Sequence, residues 1–248
     1  MQFELAVLDM AGTTVFDGDA VNACLRRSLL SMAGVEVNHD AANRVMGLPK
    51  PVAIRALLEA AQGVRAADSN VTQVLEEFER QMLDYYADDP AVQEIEGASE
   101  VFRQLRAAGI QIGLDTGFSR RITNTILARL GWLDARHVDA TVASDEVAAG
   151  RPAPDMIFCL MEQCRVSSPV KVAKVGDTPA DLLEGAAAGC GAVVGVLSGS
   201  HTAAELAQYP HTALIPSIRQ LPAILTDAHE SPQPTVSLPF DHSLFNNS

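Results

Sequence analysis

Two aspartates that lie far apart along the chain each end a short apolar run. Asp9 follows the run Leu5-Ala6-Val7-Leu8, and Asp177 follows a second run more than 160 residues later. A buried strand that stops at a carboxylate delivers this group to the carboxyl edge of a sheet, where open α/β folds bind ligands. One such carboxylate can serve as a nucleophile and the other as a ligand of a divalent metal ion. Small and hydroxylated residues follow both, in the segments Asp9-Met10-Ala11-Gly12-Thr13-Thr14 and Gly176-Asp177-Thr178-Pro179-Ala180-Asp181.

After Pro90 the pattern alternates between strands and helices that are joined by short loops. This alternation predicts an α/β fold with a doubly wound, Rossmann-like parallel sheet and helices on both of its faces. Together with a first strand at 3–8, we predict strands at 110–114, 139–143, 170–175, 192–197 and 213–215. The helices between them are predicted at 99–108, 119–130, 154–163 and 181–188.

The interval between the first strand and Pro90 has an almost entirely helical pattern. Asp19 can cap a first helix, which Gly34 ends. Pro51 suits the first turn of a second helix, and Ser69 can cap a third. We therefore predict an all-helical cap inserted into an α/β core and followed by a C-terminal tail, with bounds of 17–90 for the cap, 1–16 and 91–225 for the core, and 226–248 for the tail.

Composition excludes some classes of function. Of 248 residues, 48% are hydrophobic and 20% are charged, which suits a folded domain with a sizeable core. The net charge of −13 argues against nucleic acid as a partner. No signal-peptide pattern and no apolar run of about 18 residues is found, so we expect a cytoplasmic protein without a membrane partner. Four cysteines form no C-x-x-C pair and are expected to be reduced thiols.

Four segments, in this order along the chain, resemble the motifs of the haloacid dehalogenase superfamily of aspartate-nucleophile hydrolases. They are Asp9-Met10-Ala11-Gly12-Thr13-Thr14, Asp115-Thr116-Gly117, Gly150-Arg151-Pro152, and Gly176-Asp177-Thr178 with Asp181. The resemblance covers nearly the whole chain before the tail. The helical interval after the first strand is similar to the helical type of cap in that superfamily.

Within the superfamily, the chain resembles the phosphonatase branch. The phosphatases of the superfamily carry aspartate two residues after the nucleophile, whereas phosphonatase carries alanine. In this sequence that position is Ala11. The segment Met46-Gly47-Leu48-Pro49-Lys50 is similar to the one that carries the Schiff-base lysine of phosphonatase, and Arg151 also fits that branch. The chain departs from the pattern at Ala53, where the branch has histidine, and at Asp19, where it has cysteine. Both departures fall where the organic half of the substrate is held.

The resemblance implies a nucleophile and a metal site at the strand ends. Asp9 is the expected nucleophile, which attacks phosphorus and forms an aspartyl-phosphate. Asp9, the carbonyl of Ala11 and Asp177 are the expected ligands of Mg²⁺, which prefers oxygen donors. Asp181 is expected to orient the site, although a carboxylate that only starts a helix would have the same pattern.

A second group of residues is expected to hold the small phosphonate or phosphate substrate. The Thr116 hydroxyl and the Gly117 amide are positioned to bind one phosphate oxygen. Arg151 is expected to neutralise phosphate charge with its planar fork of donors. Met46, four residues before Lys50, either lines the pocket or belongs to the core.

Lys50 is the residue on which the choice of reaction depends. The leaving alkoxide of a phosphate ester needs a proton, which Ala11 cannot donate. The leaving group of a carbon–phosphorus bond is a carbanion, and a lysine iminium on an adjacent aldehyde would stabilise it as an enamine. An ordinary lysine is only about 0.1% uncharged at pH 7.4, so this role requires a pKa lowered toward about 7–8.

Three functions stay open at this point. The first is Mg²⁺-dependent cleavage of the carbon–phosphorus bond of phosphonoacetaldehyde or a related phosphonate. The second is hydrolysis of phosphate esters with another group in place of the missing acid, and the third is a binding module without catalysis. The first helix also carries an apolar stripe of Val21, Leu25 and Met32, which can pair two chains as a homodimer or pack inside the cap.

Overall fold

The first strand lies at the centre of a six-stranded parallel sheet with the order β3-β2-β1-β4-β5-β6. The computed structural model describes residues 2–134 and 137–226. Because β1 pairs with both β2 and β4, the carboxyl ends of these three strands meet at one edge, where Asp9 lies opposite Asp115. The strands are β1 (Leu5–Asp9), β2 (Gln111–Thr116), β3 (Ala140–Ala143), β4 (Val172–Gly176), β5 (Ala192–Val196) and β6 (Ala213–Ile215).

Helices cover both faces of the sheet, as the alternating pattern predicted. Leu5 and Val7 of β1 pack with Leu160 in one apolar cluster, whereas Ala6 and Leu8 belong to another. This division follows from the period of two in a strand, which sends successive side chains to opposite faces. The helices are α1 (Ala20–Ala33), α2 (His39–Asn43), α3 (Lys50–Gln62), α4 (Asp68–Asp88), α5 (Ala98–Ala107), α6 (Arg120–Leu130), α7 (Asp155–Gln163), α8 (Pro179–Ala188), α9 (Ala203–Leu206) and α10 (Leu221–Thr226).

Helices α1–α4 form an insert between β1 and α5, and we call residues 20–88 the helical insert. Within it, α4 packs against α1 and α3, and α4 also contacts α6 of the sheet-bearing part. Pro51 lies in the first turn of α3 and Gly34 ends α1 in a left-handed conformation, as predicted. The helix α2 was not predicted, because five residues are too few to show a helical period. The bounds proposed for cap and core remain predictions.

Of the two predicted helix caps, one is right in position only and the other is wrong. Asp19 is the N-cap residue of α1, but it has a left-handed backbone and its side chain makes no capping hydrogen bond. The side chain of Asp17 bonds to the first turn instead, since its Oδ1 accepts a hydrogen bond from the Val21 amide at 3.3 Å. Ser69 does not cap the third long helix, which begins at Asp68 and leaves Ser69 within its first turn.

The predicted apolar stripe of α1 is mostly internal. Val21 and Leu25 are buried, whereas Met32 is 44% exposed. Pairing of two chains through this stripe was one of the two open alternatives, and it remains a prediction for which only Met32 of the three residues is exposed. All four cysteines are free thiols, and two of them, Cys24 and Cys164, are buried.

No helix in the described ranges is both long enough and apolar enough to cross a membrane. The predicted tail begins at Thr226, the last residue of α10, and its remaining residues lie outside the described ranges.

Candidate active site

A cavity of about 370 Å³ opens between the carboxyl edge of the sheet and the helical insert. Eight of the nine site residues predicted from the sequence line it; these are Asp9, Ala11, Met46, Lys50, Thr116, Gly117, Arg151 and Asp177. The ninth, Asp181, is fully buried behind the cavity wall and reaches the site through Arg151. Strand ends and insert therefore converge on one space, although they are distant in sequence.

Asp177 is fixed by three donors from two loops. The Thr13 hydroxyl donates to Oδ1 at 3.1 Å, and the Ser200 amide and hydroxyl donate to Oδ2 at 2.8 and 2.9 Å. Gly12 and Gly199 allow this approach, because a Cβ on either would lie within 2.7 or 2.1 Å of the carboxylate. Burial raises the pKa of Asp177 to about 6, and nearby Asp181 adds to this effect.

Three buried carboxylates could together hold a metal ion. Oxygens of Asp9, Asp177 and Asp181 lie within 4.8 Å of one another. Burial raises the pKa of Asp9, and Asp181 and Asp177 raise it further because they carry like charge. Such a cluster of oxygen donors suits a hard divalent cation such as Mg²⁺, which would relieve this repulsion.

Arg151 links Asp9, the candidate nucleophile, to Asp115 of the neighbouring strand β2. Its Nη1 lies 2.6 Å from Asp9 Oδ1 and 3.0 Å from Asp181 Oδ1. Its Nη2 donates to Asp115 at 2.5 Å, and its Nε donates to Glu184 at 3.0 Å. With a fully buried side chain, Arg151 fixes one oxygen of Asp9 through charge-assisted hydrogen bonds.

Lys174, Asp115 and Glu184 belong to this network and were not predicted as site residues. The Lys174 ammonium lies 2.6 Å from both Asp115 oxygens, 3.0 Å from Glu184 and 3.1 Å from Asp181. Burial alone would raise the pKa of Asp115, but Arg151 and Lys174 outweigh it and hold that pKa below its ordinary value. The sequence carried a signal, because a lysine inside an apolar strand requires buried carboxylate partners.

Lys50 is the first residue of α3, and only 5% of it is exposed. Its ammonium lies 5.2 Å from the ring centre of Phe118 and 5.8 Å from that of Phe78. Within the described ranges it has no hydrogen-bond or ion-pair partner. Burial lowers the pKa of Lys50 to about 8, against the opposing effect of Asp9 and Asp17. The pKa of Lys50 is therefore shifted in the direction that the expected Schiff-base role requires.

The segment before Lys50 lies directly on the core loops. Gly47 has a φ of 81°, and a Cβ there would lie 2.2 Å from the Thr178 hydroxyl. A Cβ on Gly117 would lie 2.7 Å from the Leu48 carbonyl oxygen. A further link is the Asn43 side chain, which donates to the Ser200 carbonyl at 2.7 Å. These contacts hold the insert against the core loops at the edge of the cavity.

Thr116 and Gly117 lie at the end of β2, beside Asp9. The Thr116 hydroxyl oxygen accepts a hydrogen bond from the Phe118 amide at 3.2 Å, which leaves its proton free to be donated. Both residues line the cavity, as expected of groups that hold a phosphate oxygen.

Comparison with known proteins gives the family. The model of the haloacid dehalogenase-like hydrolases matches residues 3–189, which span every motif described above. The chain belongs to the haloacid dehalogenase-like hydrolases. This membership identifies an enzyme, so the alternative of a binding module without catalysis is not retained.

Among relatives of this hydrolase, phosphonatases recur. A phosphonoacetaldehyde hydrolase of Bacillus cytotoxicus is 34% identical over 212 residues, which are 81% of this chain and 78% of the relative. The crystal structure of a phosphonoacetaldehyde hydrolase-like protein from Oleispira antarctica superposes with a TM-score of 0.79 at 25% identity, covering 94% and 96% of the two chains. A hydrolase from Pseudomonas syringae shares the fold, with a TM-score of 0.80 at 18% identity, over 92% and 99%. The enzyme is of the phosphonatase-like type.

Proposed function

We propose that this hydrolase uses Mg²⁺ and cleaves the carbon–phosphorus bond of phosphonoacetaldehyde or of a related phosphonate with a neighbouring carbonyl group. The observation that carries the proposal is the burial of the Lys50 amine in the cavity that Asp9 lines. The identity to phosphonoacetaldehyde hydrolases supports it. So does Ala11, because a methyl group cannot protonate the leaving oxygen of a phosphate ester.

Lys50 prepares the substrate for bond cleavage. Its uncharged amine attacks the carbonyl carbon, and loss of water leaves an iminium. When the carbon–phosphorus bond breaks, its electron pair moves into the iminium and forms an enamine rather than a free carbanion. A pKa of about 8 leaves part of the Lys50 population uncharged near neutral pH.

Asp9 accepts the phosphoryl group. One of its carboxylate oxygens attacks phosphorus in line with the breaking bond and forms an aspartyl-phosphate. Water then hydrolyses this acyl phosphate and releases inorganic phosphate. The enamine takes a proton from solvent at carbon, and a second water releases the aldehyde and returns the amine of Lys50. One water was produced earlier, so the net reaction consumes one water and yields phosphate and acetaldehyde.

The remaining residues bind and orient. Arg151 holds Asp9 in place and places positive charge beside the phosphoryl group. The Thr116 hydroxyl and the Gly117 amide donate to a phosphate oxygen. Asp9, Asp177 and the Ala11 carbonyl would hold Mg²⁺, with Asp181 behind them. Bound Mg²⁺ would neutralise charge on the phosphoryl oxygens.

The test is phosphate release from a panel in which phosphonoacetaldehyde stands beside simple phosphomonoesters. We expect the larger kcat/KM for phosphonoacetaldehyde. The variant Lys50→Arg keeps a positive charge but cannot form an iminium, and it should lose at least about 100-fold in kcat.

The chain offers a matched control, because it contains only three lysines. Lys171 is half-exposed and pairs with Glu4, so Lys171→Arg should leave the rate within about twofold. Full activity of Lys50→Arg on phosphonoacetaldehyde would overturn the iminium mechanism.

Hydrolysis of phosphate esters is the second candidate. It is favoured by Asp17, which lines the cavity and has a pKa raised to about 6 by burial, since a protonated acid there can supply the proton that Ala11 lacks. A larger kcat/KM for phosphomonoesters than for phosphonoacetaldehyde in the same panel would select this function.

A further inference from the structure

Asp17 is a carboxylic acid that lines the cavity, and the proposed reaction assigns it no role. It lies in the turn between β1 and α1, and it is partly buried. The Val21 amide donates to its Oδ1 at 3.3 Å, and the Tyr85 hydroxyl donates to its backbone carbonyl at 3.2 Å. Both contacts fix the residue at the cavity wall, while Oδ2 has no partner among the described residues.

Asp17 and Lys50 line the same cavity, so their charges act on one another. Asp17 favours the charged form of Lys50, and Lys50 in turn favours the ionised form of Asp17. Burial nevertheless raises the pKa of Asp17 to about 6. Asp17 also interacts electrostatically with titratable groups of the surrounding elements. These are Asp19 and Cys24 of the α1 region, Tyr85 and Tyr86 of α4, and Asp177 after β4.

The other acids and bases that line the cavity, apart from Lys50, already have hydrogen-bond or ion-pair partners. Asp9 is bound to Arg151, and Asp177 accepts three hydrogen bonds. Asp19 and His39 pair with one another at 3.0 Å, and their side chains are 53% and 50% exposed. Among the described residues, Asp17 therefore lines the same cavity as Lys50 and has an unengaged carboxylate oxygen.

We infer that Asp17 is the acid–base group for the carbonyl chemistry of Lys50. This inference rests on the proposed function and adds a specific proton donor to it. Attack of the Lys50 amine on the aldehyde gives a zwitterionic adduct, and transfer of a proton from its nitrogen to its oxygen gives the neutral carbinolamine. Asp17 then donates its proton to the carbinolamine hydroxyl; the carbon–oxygen bond breaks, water leaves, and the iminium and the Asp17 carboxylate remain.

The same group works in the opposite direction after the carbon–phosphorus bond has broken. Water attacks the carbon of the product iminium, and the Asp17 carboxylate takes a proton from this water. The carbinolamine that forms collapses to acetaldehyde and the Lys50 amine. Asp17 is protonated again at the end, so it acts catalytically and its charge balances over one turnover.

The decisive variant is Asp17→Asn. Asparagine keeps the oxygen that accepts from the Val21 amide and caps helices as well as aspartate does, but it cannot donate and accept a proton in this way. With phosphonoacetaldehyde at pH 7, we expect borohydride-trapped iminium at Lys50 to form about 100-fold more slowly than in the wild type. The exposed Asp84 serves as control, and Asp84→Asn should form it at the wild-type rate.

Two further readouts separate proton transfer from a structural role. In Asp17→Ala, added acetate or formate should restore part of the rate of iminium formation, because a small acid can occupy the vacated space. Inorganic phosphate should bind to Asp17→Asn with an affinity within about threefold of wild type. A merely structural role would give no rescue and would weaken phosphate binding, and this result would overturn the inference.

Failure of the inference is distinguishable from failure of the proposed function. A wild-type enzyme that releases no phosphate from phosphonoacetaldehyde would overturn both. A wild-type enzyme that releases phosphate, together with an Asp17→Asn variant that traps iminium at the wild-type rate, would overturn only the role of Asp17.

Discussion

Two lysines of this hydrolase are buried, and their surroundings give them opposite chemistry. Lys174 lies among Asp115, Asp181 and Glu184, which keep its ammonium charged. Lys50 lies between two aromatic rings, where burial lowers its pKa to about 8. The first arrangement suits a structural cation, and the second suits a nucleophilic amine.

A stability measurement tests the structural role of Lys174. The variant Lys174→Met removes the ammonium and leaves buried carboxylates without their partner, so we expect a loss of about 3–5 kcal/mol in the free energy of unfolding. Lys171→Met removes a half-exposed pair with Glu4 and should cost no more than about 1 kcal/mol. Urea denaturation measures both, and equal losses would contradict the assignment.

At the scale of elements, the site depends on how closely the helical insert approaches the core loops. Gly47, Leu48 and Pro49 lie against Thr178, Gly117 and Gly150, respectively, and Lys50 begins α3 at once afterwards. This succession carries the Lys50 amine into the cavity. Any side chain added at the contact would have to move the insert and the amine with it.

The variant Gly47→Ala tests this contact. Its Cβ would lie 2.2 Å from the Thr178 hydroxyl, so we expect kcat/KM for phosphonoacetaldehyde to fall at least about tenfold, since small displacements of catalytic groups are costly. Gly34→Ala is the matched control. Gly34 also has a positive φ of 64°, but a Cβ there meets no atom within 4 Å.

Both glycine variants should lose about 1 kcal/mol of stability from backbone strain alone. Only Gly47→Ala should lose activity beyond this effect. Equal kcat/KM values for the two variants would show that the contact does not position Lys50.

The same elements show what the sequence could and could not predict. The alternation of strands and helices predicted the parallel sheet, and the apolar runs that stop at aspartates indicated which strand ends carry candidate site residues. The sequence placed Asp19 at the start of α1 but did not reveal that the side chain of Asp17 makes the capping hydrogen bond, because this depends on the left-handed backbone of Gly18 and Asp19. The partners of Lys174 come from β2 and α8, and no spacing along the chain reveals that they meet.

At the scale of the whole molecule, the enzyme carries a net charge of −13 and nevertheless is proposed to bind an anion. Four aspartates line the cavity, against Lys50 and Arg151 as its cations. A divalent cation at Asp9 and Asp177 would cancel this local excess of negative charge, and the field at a small site depends mainly on the nearest charges.

Thermal unfolding measures such binding without any activity assay. At a Mg²⁺ concentration of about 100 Kd we expect stabilisation of about 2.7 kcal/mol, which raises Tm by about 5–10 °C for a chain of this length. Asp177→Asn should abolish this rise, and the exposed control Asp84→Asn should keep it. A rise in Asp177→Asn equal to that of the wild type would contradict the metal assignment.

The central claim is that Lys50 forms the covalent bond to the substrate, and borohydride reduction during turnover of phosphonoacetaldehyde tests it most directly. Mass spectrometry should find the reduced adduct on Lys50 alone among the three lysines. Because burial lowers the pKa of Lys50 from 10.5 to about 8, the uncharged amine accumulates above that pH, and labelling should rise through about pH 8. Release of phosphate from phosphonoacetaldehyde with no label on Lys50 at any pH would contradict the account.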